Sequence, residues 1–296
     1  MLENPVRIAR VVLITGVTVE VLGCSISALL AADVAASQPA SRPATASASA
    51  PAGESLDPAV AVILDRLERK GDQIDSLEAQ IEFIKIDPVL DDRQEYKGIL
   101  RFKQLQPNPR FYIEFDTFKQ EGITRKSKQW HVFDGQWYIE ARESTKTIVK
   151  TEIVRPGETV EVFKLGRGPF PLPFGQKKAD ILKHFTVKLV KSQPNDPPGC
   201  DHLECTPRAG TEMAAKYDAV HFFIDRSLDL PVRVQTTEKQ EGNQIIASFS
   251  NIKVNPGLVA SQLNLPELKD YAIDTNPLKD SRPDNEEIRQ EGPSQK

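Results

Sequence analysis

The sequence predicts a mainly β, α+β fold in which one amphipathic helix precedes a large antiparallel sheet of about eleven strands. Asp57-Pro58 is a helix start, because Asp caps the first turn and Pro suits its first position. Apolar residues then recur at helical spacing, at Val60, Ile63, Leu64 and Leu67. After Gly71 the apolar period becomes two, which is typical of strands. A sheet of this size must curl or close.

Each predicted strand is a short apolar or alternating run bounded by Pro, Gly, Asn or Asp. Six strands follow the first helix, in LEAQIEFIKI (77–86), YKGILRFKQL (96–105), RFYIEFDTF (110–118), the two arms of KQWHVFDGQWYIE (128–140) and TKTIVKTEIV (145–154). A Pro-Phe loop and a short second helix around 177–184 come next. Five more strands follow, in FTVKLVKS (185–192), HLECTPR (202–208), AVHFFID (219–225), PVRVQTTEKQ (231–240) and NQIIASFSNIKV (243–254).

The aromatic segment 128–140 predicts a hairpin with a two-residue turn at Asp134-Gly135. Alternation then places four large apolar side chains on one face of the hairpin: Trp130, Val132, Trp137 and Ile139. We expect this face to contact either the core of the protein or a bound ligand.

The chain ends differ in composition from the middle. Of 296 residues, 1–36 combine Arg7 and Arg10 with an apolar run and small residues, the pattern of a signal or anchor segment. V-L-G-C (21–24) resembles a bacterial lipobox, which would make Cys24 a lipidated N-terminus, whereas V-A-A (34–36) suits ordinary cleavage. Glu20 interrupts the apolar run, so a stable membrane span is the weaker interpretation. The segment therefore predicts an exported protein, periplasmic or membrane-anchored through its N-terminus.

The remaining chain divides into a linker, one domain and a tail. Residues 37–56 are rich in Ala, Ser and Pro, which cannot build a core. Residues 275–296 are charged and almost without apolar side chains, so they predict a disordered tail. The folded domain is predicted at 57–274. The net charge of −4 comes without a basic stripe, which argues against a nucleic-acid partner.

The cysteines and histidines do not form a recognisable metal-binding or catalytic motif. In an exported protein, Cys200 and Cys205 are best interpreted as a disulfide. With His202 they could instead bind a metal, but a fourth ligand at usual spacing is missing, so no metal site is predicted. The sequence contains no nucleophile elbow, Walker loop, HExxH or GxGxxG motif. We therefore expect neither an enzyme nor a cofactor, unless ionisable groups distant in sequence converge.

Several short motifs, in their order, resemble the LolA/LolB/LppX-like carrier superfamily of bacterial envelopes over about 57–274. They are G-I-L-R-F-K (98–103), P-N-P-R-F (107–111), V-F-D-G (132–135), L-E-C-T-P (203–207), F-F-I-D (222–225), L-P-V-R (230–233), S-F-S-N-I-K-V-N (248–255) and L-N-L-P (263–266). The resemblance implies a strongly curved, incomplete antiparallel barrel whose open side is covered by helices. It also implies an apolar concave face that holds acyl chains of lipoproteins or lipids.

One position departs from that family. Lipoprotein-carrying members have an arginine after the second strand, in a K-R-P-N context, that controls cargo release. This sequence has K-Q-L-Q-P-N-P, with Gln104 or Leu105 near that position, while Arg101 and Arg110 do not align. The departure puts dedicated lipoprotein shuttling in question.

The resemblance implies that the apolar residues of the strands form a ligand-binding face. Its predicted members are Ile81, Phe83, Leu100, Phe102, Phe111, Ile113, Phe115, Trp130, Val132, Trp137 and Ile139. The predicted lid comprises Val60, Ile63, Leu64 and Leu67 of the helix and Phe170, Leu172 and Phe174 of the Pro-Phe loop. Ordinary core packing explains any single one of these residues. Six strands with one apolar face, however, need more cover than one helix of about four turns provides.

Two functional hypotheses follow. The first is a non-enzymatic periplasmic binding or carrier protein for acyl chains of lipoproteins or lipids. The second is a lipid-anchored structural or sensory module, whose barrel is fully packed and which binds an envelope protein.

Overall fold

The domain begins with helix α1 and continues almost entirely as strands of one sheet. A computed structural model describes residues 56–159 and 172–278. The helices are α1 (Pro58–Gly71), α2 (Lys178–His184) and α3 (Glu212–Lys216), with a short 3-10 helix at Ala260–Leu263. The strands are β1 (Ser76–Asp87), β2 (Asp92–Lys103), β3 (Arg110–Gln120), β4 (Ile123–Phe133), β5 (Trp137–Arg142), β6 (Thr147–Glu152), β7 (Phe185–Val190), β8 (Cys200–Pro207), β9 (Tyr217–Asp225), β10 (Leu230–Glu238), β11 (Gln244–Val254) and β12 (Ala272–Asn276).

These twelve strands form one curved, unclosed sheet, in the order β12-β6-β5-β4-β3-β2-β1-β11-β10-β9-β8-β7. Two meanders, β1 to β6 and β7 to β11, meet where β1 pairs with β11. These pairings are antiparallel, while β12 pairs with β6 in parallel. The predicted curved, incomplete barrel is therefore confirmed, and β1 to β11 match the eleven predicted strands.

The sequence missed three of the described elements: β12, α3 and the 3-10 helix. Strand β12 runs to Asn276, past the predicted end of the domain at 274. Its residues AIDTN show neither a long apolar run nor clear alternation, and all five are exposed. The strand forms because its backbone pairs with the edge of β6, which local sequence does not reveal.

Helix α1 begins as the sequence predicts. The Asp57 side chain accepts a hydrogen bond from the backbone N–H of Ala59 at 2.8 Å, and Pro58 follows it. The buried stripe consists of Val60, Ile63, Leu64 and Leu67. Arg66 on the same helix forms an ion pair with Asp201 of β8 at 2.7 Å. These contacts dock α1 on the half of the sheet that contains β8.

The inner face of the sheet, which α1 covers in part, is divided between two apolar clusters. The helix-covered cluster joins α1, α2 and α3 to side chains of β7 to β10, such as Leu203, Phe222 and Val234. The loop-covered cluster joins β1 to β4, β11 and the connection between β6 and α2, and includes Phe83, Phe115 and Phe249. Register places both clusters on the same face, since Phe83 pairs with Ala247 and Ala247 with Val234. The two halves of one face thus have different covers.

The hairpin at 134–137 has a longer turn than predicted. Val132 pairs with Ile139 and Phe133 with Tyr138, so four residues, not two, form the loop. The Asp134 carboxylate accepts hydrogen bonds from the backbone N–H groups of Gln136 and Trp137 at 2.9 and 2.8 Å. This side-chain capping stabilises a wider turn. The register differs from the prediction by two residues, so Trp130, Val132 and Ile139 still share one face.

Strand β3 contains a bulge at Asp116 that is important for the faces of the sheet. On the β2 side, Lys97 pairs with Thr117 and Gly98 with Phe115, so Asp116 is an extra residue of β3. On the β4 side, Thr117 pairs with Lys126 and Phe115 with Gln129, so Asp116 lies opposite two residues of β4. A one-residue shift moves following side chains to the opposite face relative to the neighbouring strand.

We predict that Gly98→Ala disrupts the β2–β3 pairing at this bulge. A Cβ on Gly98 would lie 1.9 Å from the carbonyl oxygen of Glu114 and 2.7 Å from the Cα of Phe115. Because both are backbone atoms, we expect a loss of more than about 3 kcal/mol of unfolding free energy, measured by urea denaturation. Gly122→Ala is the control: its φ of +76° is strained for alanine, but no atom lies within 4 Å. It should cost only about 1–2 kcal/mol. Equal losses in the two variants would contradict the close approach at Gly98.

Candidate functional site

The candidate site is the loop-covered part of the inner face. Seven of the predicted ligand-binding residues lie there together and are 0–7% exposed: Ile81, Phe83, Leu100, Phe102, Phe111, Ile113 and Phe115. Their rings and branched chains are contiguous, as shown by ring centroids 6.0 Å apart for Phe83 and Phe115. The predicted apolar face therefore exists on β1, β2 and β3.

The cover of these strands comes from the β6–α2 connection, whose described parts, 153–159 and 172–177, contain no helix. Val154, Leu172 and Phe174 from the β6–α2 connection pack into the cluster, and the latter two are 2% and 4% exposed. The Phe174 ring meets Phe249 of β11 edge-on, with centroids 5.1 Å apart. Leu172 and Phe174 of the predicted lid thus pack on these strands, while Phe170 lies outside the described residues. The far end of the connection is tied to α1 by the ion pair of Lys178 with Asp65 at 2.7 Å.

Helix α1 covers a different part of the sheet from the one predicted. Its four stripe residues, Val60, Ile63, Leu64 and Leu67, pack in the helix-covered cluster, with side chains such as Leu203 and Phe222. The prediction that this helix is a lid over the aromatic strands is therefore wrong. The apolar stripe identified the helix correctly, but helical periodicity does not indicate which strands it contacts.

The tryptophan side of the hairpin lies on the outer face. Trp130, Val132 and Ile139 belong to a third cluster, with Tyr112, Ala141, Ile148 and Leu263, and Trp137 packs beside it. This outer cluster is covered by the segment after β11, through Leu263, Leu265, Leu268 and Tyr271. The four hairpin residues are therefore not part of the concave face. The bulge at Asp116 is the reason, because it pairs Trp130 with Glu114 instead of with Ile113.

Glu114 organises the polar edge of the outer cluster. Its carboxylate accepts hydrogen bonds from Lys128 Nζ at 2.8 Å, Trp130 Nε1 at 3.2 Å and the Tyr112 hydroxyl. Partial burial raises the pKa of Glu114, but these three donors outweigh that effect and hold the pKa below its usual value. A carboxylate held as an anion by three donors is suited to structure rather than to proton transfer.

Polar side chains border the aromatic inner face on β4 and β5. His131 Nδ1 and the Tyr138 hydroxyl form a hydrogen bond of 2.7 Å, and Glu140 pairs with His131 across the strands. Burial lowers the pKa of His131 to about 4 and raises that of Tyr138. Both groups are therefore neutral at neutral pH. Sequence analysis missed Tyr138, although its alternation with Trp137 and Ile139 could have placed it on the inner face.

The two described cysteines are free thiols, so the predicted disulfide is wrong. Cys200 and Cys205 lie on the same extended strand, β8, five positions apart. An odd separation directs their side chains to opposite faces, and Cys205 packs in the helix-covered cluster. Burial raises the pKa of Cys200 to about 11 and raises that of Cys205 further. Cys24, the lipidation candidate, lies outside the described residues.

His202 and His221 are not isolated. His202 Nδ1 lies 3.0 Å from Asp196 Oδ2, and its Nε2 lies 3.0 Å from His221 Nδ1. Within 56–159 and 172–278, no group of three or more His, Cys, Asp or Glu side chains is arranged to hold a metal ion. The contacts satisfy the buried polar atoms of His202, which is 8% exposed, by hydrogen bonding.

The P-N-P-R-F motif joins three loops. Asn108 is 3% exposed, and its Nδ2 donates to the carbonyl oxygens of Gly135 at 2.8 Å and Glu158 at 2.9 Å. These bonds connect the β2–β3 turn to the β4–β5 turn and to the chain after β6. Arg101 of β2 lies on the outer face in an ion pair with Glu78 at 3.1 Å.

Comparisons with known proteins find similarity in shape only. Neither a family model nor a curated protein sequence matches the chain. Among solved structures, an uncharacterized conserved protein from Thermus thermophilus matches at 14% identity and a TM-score of 0.43, covering 74% of this chain and 99% of its own. Lipoprotein LppX from Mycobacterium tuberculosis matches at 11% and 0.40 (69% and 99% covered). A LolA superfamily protein from Nitrosomonas europaea matches at 11% and 0.33 (69% and 97%).

These matches include the superfamily that the sequence motifs resemble. The TM-scores of all three lie below 0.5. No helix in the described ranges is long and apolar enough to cross a membrane.

We predict that His131 makes stability depend on pH between 6.5 and about 4. In this range the unfolded chain binds a proton at His131 more readily than the folded protein does, so stability falls as the pH falls. The effect amounts to at most about 3 kcal/mol. Urea unfolding across this range should show a weaker pH dependence in His131→Gln. Tyr138→Phe removes the hydrogen bond but keeps the imidazole, so it should retain the wild-type pH dependence. A His131→Gln profile parallel to that of the wild type would contradict the assignment.

Proposed function

We propose that this protein is a non-enzymatic binding or carrier protein that holds acyl chains of lipids or lipoproteins against the loop-covered inner face. The observation that carries this proposal is the difference between the two covers. Helices cover β7 to β10, while Leu172 and Phe174, which lie outside any helix or strand, cover the aromatic strands β1 to β3. Segments without their own hydrogen-bonded ladder open at lower free-energy cost than packed helices do.

The energetics favour exchange of this cover for an acyl chain. Exposing Leu172 and Phe174 costs about 1.5–3 kcal/mol each, or about 3–6 kcal/mol together. Burying a C16 chain contributes on the order of 10 kcal/mol before entropic losses, at about 0.8 kcal/mol per CH₂. A long acyl chain can therefore displace the cover, while a short one cannot.

The same proposal includes export. The basic and apolar segment 1–36 directs the protein to the periplasm, and residues 37–56 tether the domain when Cys24 is lipidated. Membrane attachment through this tether would deliver the domain to a lipid surface without any spanning element in the domain itself.

A second candidate is the lipid-anchored structural or sensory module. The near-complete burial of the inner face, at 0–7% exposure of its seven residues, favours a barrel packed by its own side chains. In that case the protein binds an envelope protein through its surface, and the inner face has no ligand. The two candidates give opposite results in the next experiment.

We predict that Phe174→Ala strengthens acyl binding while weakening the fold. Removing this ring opens the space beside Phe249 that a ligand otherwise has to clear, so affinity for a fluorescent acyl probe should rise about tenfold. Loss of the buried ring should cost about 3–5 kcal/mol of stability. Fluorescence titration of protein purified without detergent measures the first effect, and urea unfolding the second. Native mass spectrometry of the wild type should also detect co-purifying acyl species.

Leu263→Ala is the matched control. Leu263 is 0% exposed but belongs to the outer cluster, so its truncation should cost about 2–5 kcal/mol without changing probe affinity. Trp137→Ala, also beside the outer cluster, should likewise leave binding unchanged. If wild type and Phe174→Ala both fail to bind the probe and purify without acyl species, the packed module is the correct function.

We predict that the N-terminal segment is removed, so that the mature protein in the cell envelope begins at Cys24 or after Ala36. Intact mass and N-terminal peptide analysis should show either a lipid-modified N-terminus at Cys24 or a free one after Ala36. Cys24→Ser should release the protein from the membrane fraction in the first case only. Recovery of the full chain from the cytosol would overturn the proposed location.

A further inference from the structure

A lysine stands at the end of the apolar row on the inner face. On β1 the inward residues Ile81 and Phe83 are followed by Lys85, which shares their face. Its Nζ lies 5.7 Å from the ring centroid of Phe83 and 5.9 Å from that of Tyr96. The ammonium group therefore lies directly against the aromatic surface of the candidate site.

This ammonium group differs from the other lysines of the same part of the sheet. Lys97 Nζ lies 2.9 Å from Glu82, and Lys103 Nζ lies 2.8 Å from Asp75. Within the part of the chain that the structure describes, no carboxylate is within ion-pair distance of Lys85, and its ammonium group lies over two aromatic rings. Although Lys85 is exposed, desolvation by these neighbours lowers the pKa of its ammonium group. An anion placed here would restore the lost solvation of the ammonium group.

The charged groups that act on Lys85 do not include an ion-pair partner. After desolvation, the largest influences on the pKa of Lys85 are the charges of Glu140, which raises it, and Arg142, which lowers it. These two are already paired with each other, since Arg142 Nε donates to Glu140 Oε1 at 2.7 Å. Glu238 of β10 also acts on Lys85, but only through its long-range charge. Lys85 is thus an unpaired cation beside a neutralised pair.

We propose that Lys85 binds the carboxylate of a long-chain fatty acid whose hydrocarbon chain lies along the loop-covered inner face. This inference rests on the proposed acyl-binding function and names its ligand class. A single ammonium group matches a headgroup with one charge, whereas recognition of phosphate favours arginine forks, and Arg142 is occupied by Glu140. The apolar stem of Lys85 packs on the same rings that receive the first methylenes of the chain.

The length of the inner face fits such a ligand. Inward positions of β1 continue from Lys85 through Phe83, Ile81 and Ala79 to Leu77, and the last four are 0–5% exposed. Eight residues of strand span about 27 Å. One leaflet of a bilayer has a hydrocarbon layer of about 15 Å, half of the whole core. A single extended acyl chain therefore fits between Lys85 and the far end of the face.

The test compares palmitate with hexadecanol, which has the same chain length and no charge. Both compete with a neutral fluorescent acyl probe, on wild type and on Lys85→Met, whose side chain keeps the apolar stem. We expect Lys85→Met to weaken palmitate binding about tenfold and to leave hexadecanol binding unchanged, because only palmitate loses a charge-assisted hydrogen bond. Lys97→Met is the matched control: this lysine lies on the outer face of the adjacent strand, so neither ligand should be affected.

The outcomes separate this inference from the proposed function. If palmitate and hexadecanol bind with equal affinity and Lys85→Met changes neither, acyl binding stands and the role of Lys85 is wrong. The same conclusion follows if Lys97→Met weakens palmitate as much as Lys85→Met does. If neither ligand displaces the probe from wild type, or the probe itself does not bind, the proposed function fails and this inference fails with it.

Discussion

A twelve-stranded sheet that curls without closing has an inner face that must be kept from water along its whole width. Alternation along the strands makes this face apolar from β4 through β1 and β11 to β8. Helices cover one part of it, and the β6–α2 connection covers the other. Helix α1 and its ion pair with Asp201 close one half. A connection without regular structure in its described parts closes the other. The free energy of opening must differ between the halves, because only the first cover is a regular element with four buried anchors.

The bulge at Asp116 determines which side chains reach that inner face. Without it, the register of the β3–β4 turn would pair Ile113 with Trp130, and the two tryptophans would line the inner face as the sequence analysis expected. With the bulge, Trp130 lies opposite Glu114, so the polar side of β3 adjoins an apolar side of β4. This second apolar surface requires a second cover, which the segment containing Leu263 and Tyr271 supplies. One inserted residue thus explains both the misplaced tryptophans and the position of the C-terminal segment.

The sequence predicted those features of the fold that depend on residues close together in the chain. The cap at Asp57, the stripe of α1 and the alternation of β1 to β11 were readable, since each depends on neighbours within a few residues. The seven inner residues of β1 to β3 were found for the same reason. The sequence did not predict the bulge, the parallel pairing of β12 or the strands that α1 covers. These features depend on partners far along the chain. The predicted disulfide is wrong because both cysteines lie on one extended strand, which directs their thiols to opposite faces. Their short spacing in the sequence did not reveal this.

In the proposed function, an acyl chain and the protein's own cover compete for the loop-covered half of the inner face. Phe174 lies on Phe249, so a chain can reach that ring only after Phe174 leaves it. The first several methylenes of a ligand therefore only offset the loss of Leu172 and Phe174, and net binding begins with the methylenes beyond them. Such a site discriminates by chain length without any residue that measures length. In the further proposal, Lys85 at the end of the apolar row adds a separate requirement, because it acts on the headgroup while the cover acts on the tail. Length and charge are then selected by different parts of one face.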